Sequence, residues 1–196
     1  SKDVLSRNKG AKIIFDVKCT SLLPKVISEH GGQPIMSRTG HSFIKQKLKE
    51  TKAELAGEMS GHIFFKDRWY GFDDALYTAA RLLEILSKSD KSCSEIFDEF
   101  PVNLSTPEIN INFEKHGEQF DAMAKLSSNI NFPGATINTI DGVRVDYENC
   151  WGLVRASNTT PCLVLRFEAN DNELLGEIKT KFIQWLEFNS ISTGSL

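Results

Sequence analysis

The sequence lacks any close grouping of metal-binding residues: it has no Cys-x-x-Cys pair, no nearby histidine cluster and no acidic metal loop. Its four cysteines, Cys19, Cys93, Cys150 and Cys162, stand far apart. That spacing argues against a zinc site and against a disulfide scaffold, and it fits a reducing, cytoplasmic compartment. Long apolar runs are missing too. None approaches the roughly 18 residues of a membrane span, so no membrane partner is expected. Ser1-Lys2-Asp3-Val4 lacks the apolar core of a signal peptide. Nor is either charge in excess: 23 Lys and Arg stand against 26 Asp and Glu, a net charge of -3. That balance gives no global electrostatic case for nucleic acid or an anionic membrane. There is no internal repeat, no low-complexity tract and no nucleophile with a base beside it.

What is there suits a soluble globular protein. Of the 196 residues, 40% are hydrophobic and 25% charged, enough for one large domain or two ordinary ones. The chain opens without an initiator methionine, on what reads as the end of a helix or a linker, so a piece of something longer is expected. Residues 12–16 predict a buried strand. A helix over 22–30 follows, with Leu22, Leu23, Val26, Ile27 and His30 on one face and Gly31-Gly32 as its stop. A strand at 33–37, a turn at 38–42 and a basic helix over 43–50 come next. Apolar segments at 53–58 and 62–65 flank a polar loop. The clearest helix spans 72–86, with Leu76, Ala79, Ala80, Leu83 and Leu86 on one face and Asp73 or Asp74 near the N-cap. Strands alternating with helices predict an α/β layered domain over 1–102, a mixed sheet flanked by helices.

After a short helix at 94–100, residues 101–107 read as a linker with two prolines. Then the period changes. Ile109, Ile111 and Phe113 alternate as in a one-face-buried strand, and 117–127 reads as a helix with Phe120, Met123 and Ala124 inward. Strands are predicted at 135–140, 143–147, 151–156 and 163–169, with Asp141-Gly142 as a hairpin turn. A closing helix over 170–188 would bury Leu174, Leu175, Ile178, Phe182, Trp185 and Leu186. This second part, 103–196, is a smaller α+β domain, an antiparallel sheet with helices.

Two loops carry candidate chemistry. Gly57-Glu58-Met59-Ser60-Gly61-His62 packs a carboxylate, a hydroxyl and an imidazole between two glycines, an inventory of acceptors and donors that suits a sugar's hydroxyls. It also suits an ordinary polar turn. Arg155-Ala156-Ser157-Asn158-Thr159-Thr160-Pro161 gathers a guanidinium, three hydroxyls and an amide with no acidic residue among them, which favours an anion such as phosphate. Lys18 follows an apolar strand, where α/β sheets present ligands. His41 stands where a loop becomes a helix, a place suited to an anion or hydroxyl. His62 brings an imidazole, a group that could serve near neutral pH as an acid or base. Asp73 and Asp74 read as charge at a helix N-terminus rather than as metal ligands.

These motifs together carry a resemblance. Phe15-Asp16-Val17-Lys18-Cys19-Thr20, Thr39-Gly40-His41-Ser42-Phe43-Ile44-Lys45, the GEMSGH loop and Gly71-Phe72-Asp73-Asp74 resemble the third domain of the bacterial phosphomannomutase/phosphoglucomutase family. Asp141-Gly142-Val143-Arg144 and Arg155-Ala156-Ser157-Asn158-Thr159 resemble its fourth, TATA-binding-protein-like domain. The family lies in the α-D-phosphohexomutase superfamily. The resemblance implies an isomerase that interconverts hexose 1- and 6-phosphates of mannose and glucose through a 1,6-bisphosphate. It implies Glu58 and Ser60 as sugar ligands, Lys18 and His41 as substrate contacts, and His62 near the reacting oxygen as the candidate catalytic group. Arg155, Ser157, Asn158 and Thr159 would grip the phosphate that is not transferred. The family's phosphoserine and its Asp-rich Mg2+ loop have no counterpart in this sequence. The resemblance therefore implies the C-terminal half of a monomeric mutase, completed by N-terminal domains that hold Mg2+, with no metal on this chain. A stand-alone phosphosugar-binding module is the alternative.

Overall fold

The apolar run in Lys12–Asp16 decides the first layers. These residues form strand β1, which is buried on both faces. In the computed structural model, which describes residues 1–194, the chain divides into two units, Ser1–Val102 and a second beginning at Asn103. In the first, β1 lies between two parallel neighbours, β2 (Gln33–Ser37) and β3 (Leu55–Gly57), and β4 (Ile63–Phe65) runs antiparallel on the far edge of β3. Ile13, Phe15 and Leu55 pack with Val4 and Leu5 of helix α1 (Lys2–Arg7) and Ile27 of α2 (Leu22–Glu29). Ile14, Ala56 and Phe64 turn the other way, onto Ile44 and Leu48 of α3 (His41–Thr51). A mixed sheet covered by helices results, as the pattern predicts. Period-two alternation in a strand sends neighbours to opposite faces, so both faces must be roofed.

Helix α4 (Ala75–Ser87) departs from expectation. Leu76 is 85% exposed and Leu83 65%, whereas Arg81 is 3% exposed. The face chosen by apolar spacing is the outward one. The helix turns to bring Arg81 inward, where its guanidinium meets the carboxylates of Asp3 and Asp67 at 3.0 and 2.8 Å and stacks on Phe65 at 4.4 Å. Asp74, not Asp73, is the N-cap, accepting from the Tyr77 N–H at 2.9 Å. A short helix α5 (Cys93–Asp98) follows, closed by a Ser92/Glu95 capping box.

The second unit is an antiparallel sheet of six strands. Its path runs β5 (Leu104–Ser105), β10 (Cys162–Ala169), β9 (Cys150–Ala156), β8 (Val143–Asp146), β7 (Thr136–Asn138), with β6 (Ile109–Asn112) also paired to β10. Helices α6 (Glu118–Ser128) and α7 (Asn172–Phe188) contribute to a single core containing Met123, Leu126, Val145, Leu165, Ile178, Phe182 and Leu186. Two expectations change. Residues 104–105, read as linker, pair with the end of β10, and the Thr106 N–H donates to the Phe167 carbonyl at 3.0 Å. In α6, Phe120 and Ala124 point outward, and Gln119 and Leu126 are buried instead, because Gln119 is drawn onto a loop described below. The four cysteines are free, and no described helix is long and apolar enough to cross a membrane.

Candidate functional site

Because β1, β2 and β3 are parallel, their carboxyl ends share one edge of the first unit's sheet, the usual ligand edge of such sheets. Each end delivers part of the predicted set. After β1 comes Lys18, which is buried; after β2 comes the turn to His41, the first residue of α3; after β3 comes the Glu58–His62 loop. Asp16, the last residue of β1, ties the three ends together. It is fully buried and accepts from the Thr39 hydroxyl at 3.1 Å, the Met59 N–H at 3.3 Å and the Cys19 thiol at 3.1 Å. Sequence reading passed over it. A carboxylate closing an apolar strand is the local signal, and two of its three partners, Thr39 and Met59, lie 23 and 43 residues away.

The Glu58 loop is a tight turn: the Glu58 N–H donates to the His62 carbonyl at 2.9 Å and the Gly61 N–H to the Glu58 carbonyl at 3.0 Å. Of its two glycines only Gly61 needs its freedom, with φ at +94°; Gly57 sits within β3 with room for a Cβ. Gly61→Ala is expected to cost about 1 kcal/mol in chemical denaturation while Gly57→Ala changes little. The Glu58 carboxylate is buried and Oε1 accepts from the Gly40 N–H, while Ser60 is exposed. Glu58 thus spends one oxygen on the α3 N-cap.

The histidines come together. Their ring centroids are 4.2 Å apart, edge to face, and both side chains are half exposed, 46% for His41 and 45% for His62. Between them stands Asp73, whose Oδ2 is 2.8 Å from His62 Nδ1 and 3.3 Å from His41 Nε2. Asp73 is placed by a backbone bridge to Phe64, two residues past His62. It directly precedes the N-cap of α4, at the helix end as expected, and the neighbouring Asp74 is the residue that caps. A carboxylate on Nδ1 holds the proton there and leaves Nε2 as the nitrogen able to exchange one. His30 lies elsewhere, its Nδ1 2.8 Å from the Val26 carbonyl on the exposed end of α2.

In the second unit the 155–160 loop joins β9 to β10. Arg155 is buried, and its Nε donates to Asp141 Oδ2 at 2.9 Å. The loop itself holds no acid, but the hairpin turn supplies one, so the guanidinium has a carboxylate on its Nε side. Ser157 is buried and its Oγ accepts from the N–H groups of Thr159 at 3.3 Å and Thr160 at 3.2 Å and from the Thr160 hydroxyl at 2.8 Å. Its hydroxyl therefore shapes the loop. Asn158 and Thr159 are exposed at the tip. Fully buried Gln119 clamps the loop from below, its Nε2 donating to the carbonyls of Ser157 at 3.3 Å and Thr160 at 3.4 Å. Nothing local in the sequence marks Gln119 for this role.

The family described as phosphoglucomutase/phosphomannomutase, alpha/beta/alpha domain III, matches residues 1–103, and the phosphoglucomutase/phosphomannomutase C-terminal domain matches 108–184. A phosphomannomutase/phosphoglucomutase of Pseudomonas putida is 59% identical over 93% of this chain, which spans 39% of that relative's length. A phosphoglucomutase of Neisseria gonorrhoeae is 54% identical over 96% of the chain and 41% of its own length. Among solved structures, a phosphoglucomutase/phosphomannomutase family protein from Burkholderia thailandensis matches with TM-score 0.90 and 50% identity, over 96% of this chain and 40% of that one.

Proposed function

The chain belongs to the phosphoglucomutase/phosphomannomutase family, and on that footing we propose that it is the sugar- and phosphate-binding part of a longer phosphohexomutase. The longer enzyme would interconvert 1- and 6-phosphates of mannose or glucose in the cytoplasm, with a bisphosphorylated sugar as intermediate. In this reading the first unit supplies Lys18, His41, Glu58 and Ser60 to the sugar and His62 near the reacting oxygen. The second unit supplies Arg155, Ser157, Asn158 and Thr159 to the phosphate that stays in place, with Ser157 also holding their loop in shape.

Among the described residues, the potential metal ligands that cluster are His41, His62 and Asp73. Two imidazoles and one carboxylate do not fit Mg2+, which takes a shell of oxygens. The Mg2+ implied by the family is accordingly assigned to domains outside this chain, as is the phosphoserine. Phosphoryl transfer rests on positioning and charge stabilisation. This chain by itself is then expected to bind and orient a hexose phosphate as a monomer without turning it over.

The observation that carries the reading is the 155–160 loop: a guanidinium beside exposed amide and hydroxyl groups, pre-shaped by Ser157 and Gln119. Calorimetric titration with glucose 1-phosphate tests it. Arg155→Ala is expected to weaken binding about tenfold or more, the worth of a charge-assisted contact. Equal affinity for both proteins would remove the phosphate-clamp assignment.

A further inference from the structure

We propose that His41, His62 and Asp73 form a binding site for a divalent transition-metal ion of the Zn2+ class, and that an ion seated there closes the sugar-binding side of the first unit. The second clause rests on the sugar reading of the two histidines given above; the first does not.

Geometry makes the case. Zn2+ held tetrahedrally at about 2.0–2.1 Å from nitrogen and oxygen needs ligand atoms roughly 3.3 Å apart. Asp73 Oδ2 lies 2.8 Å from His62 Nδ1 and 3.3 Å from His41 Nε2, and the three ligand atoms all fall within 4.8 Å of one another. Small side-chain rotations admit an ion. The scaffold is already fixed: His41 begins α3 and packs edge-on against Phe64 at 5.7 Å, His62 ends the turn before β4, and Asp73 is bridged to Phe64. Both rings are half exposed, which leaves room for water or a further ligand at the remaining positions, as in three-ligand zinc centres.

The donor set also chooses the ion. Imidazole selects Zn2+, Co2+, Ni2+ or Cu2+ and rejects Mg2+ and Ca2+, so Mg2+ at working concentrations leaves the site alone. Position works against very tight binding, because His41 lies at the positive end of α3, and the Asp73 carboxylate offsets that. An ion here takes His62 Nδ1 and His41 Nε2, so both rings are held on the metal, and its remaining waters fill the space that the sugar reading gives to a hydroxyl. Bound metal and bound hexose phosphate then exclude each other.

The test uses Co2+ as a visible probe of the 196-residue chain. Titration is expected to give one equivalent of a low-symmetry Co2+ centre with ligand-field bands in the visible, bleached by Zn2+ and unmoved by excess Mg2+. His62→Ala, His41→Ala and Asp73→Asn should each weaken it at least about tenfold, a conservative figure given what even outer ligands contribute. Circular dichroism confirms that each variant is folded, and replacing Cys19, Cys93, Cys150 and Cys162 by serine should leave the signal in place. A centre that survives in the His41→Ala/His62→Ala double variant, or vanishes with the cysteines, overturns the site. A second titration, glucose 1-phosphate with and without Zn2+, tests closure: sugar binding unaffected by saturating Zn2+ overturns that clause alone. Failure of glucose 1-phosphate to bind in the absence of metal counts against the sugar reading and leaves the Co2+ result standing.

Discussion

Gly142→Ala is expected to destabilise the second unit by about 3 kcal/mol or more and to abolish phosphate binding in the same stroke. Two costs combine. Gly142 has φ at +78°, a region that charges an L side chain roughly 1–2 kcal/mol. A Cβ built there lies 2.2 Å from the Val154 carbonyl oxygen and 2.7 Å from both Cα and Cβ of Arg155, so the β8–β9 pair must part, at about 1–3 kcal/mol for overpacking. Since two of the three atoms it strikes belong to Arg155 and the third to Val154 before it, the displaced strand takes the guanidinium with it. Gly134→Ala is the control: φ is +80° and nothing lies within 4 Å of its Cβ, so it carries the backbone cost alone. Urea denaturation followed by the fluorescence of Trp151 and Trp185 measures both. A Gly142→Ala protein as stable as Gly134→Ala would disprove the clash.

Asp67→Asn should cost the first unit about 3 kcal/mol at neutral pH. Removing one partner of a buried ion pair strands the other's charge, an effect of about 3–5 kcal/mol, and Asp3 remains to hold part of Arg81. Asp67 accepts from Arg81 at 2.8 Å, Arg7 at 2.9 Å and Asn8 at 3.1 Å. Burial alone would raise its carboxyl; the hydrogen bonds from Arg7, Arg81 and Asn8 outweigh burial and hold it below the usual carboxylate range. Asp3 is lowered far more, chiefly by Arg7. A depressed folded-state pKa gives stability that is present above the unfolded value and lost as pH falls through the folded one. Melting temperature in the wild type should therefore begin to fall steeply below about pH 4. In Asp67→Asn the fall should be shallower from a lower start. Identical melting curves for the two proteins at pH 7 would contradict the pairing. The consequence reaches the site, because Asp67 opens the turn that leads to Asp73.

How much of this the sequence revealed divides along physical lines. Local periodicity sufficed wherever burial follows apolarity: β1, β6, β9, β10 and α7 lie where their patterns put them, and the sheets are mixed and antiparallel as read. Periodicity failed in α4 and α6, where a polar side chain commands the inward face. Arg81 is drawn in by Asp3, 78 residues away, and Gln119 by the carbonyls of Ser157 and Thr160. The same division runs through the candidate site. Histidine, arginine and hydroxyl groups advertise themselves in short motifs. Asp16, Asp73, Asp141 and Gln119 orient those groups, and their meaning appears only when distant segments meet. The loop from Arg155 to Pro161 carries no acid of its own; the acidic partner of Arg155 stands 14 residues upstream, across a hairpin.

The Ser157 hydroxyl has a last consequence, which is entropic. By accepting from Thr159 and Thr160 it takes away the freedom of the 155–160 loop while the protein folds, not when a ligand arrives. Association with a preformed mould avoids the ordering cost that a floppy loop would add at every encounter. Under the proposed reaction a bisphosphorylated sugar has to leave this mould with one phosphate and return with the other. A mould cast once, at folding, charges both visits alike, so neither direction of the isomerisation is favoured by the loop.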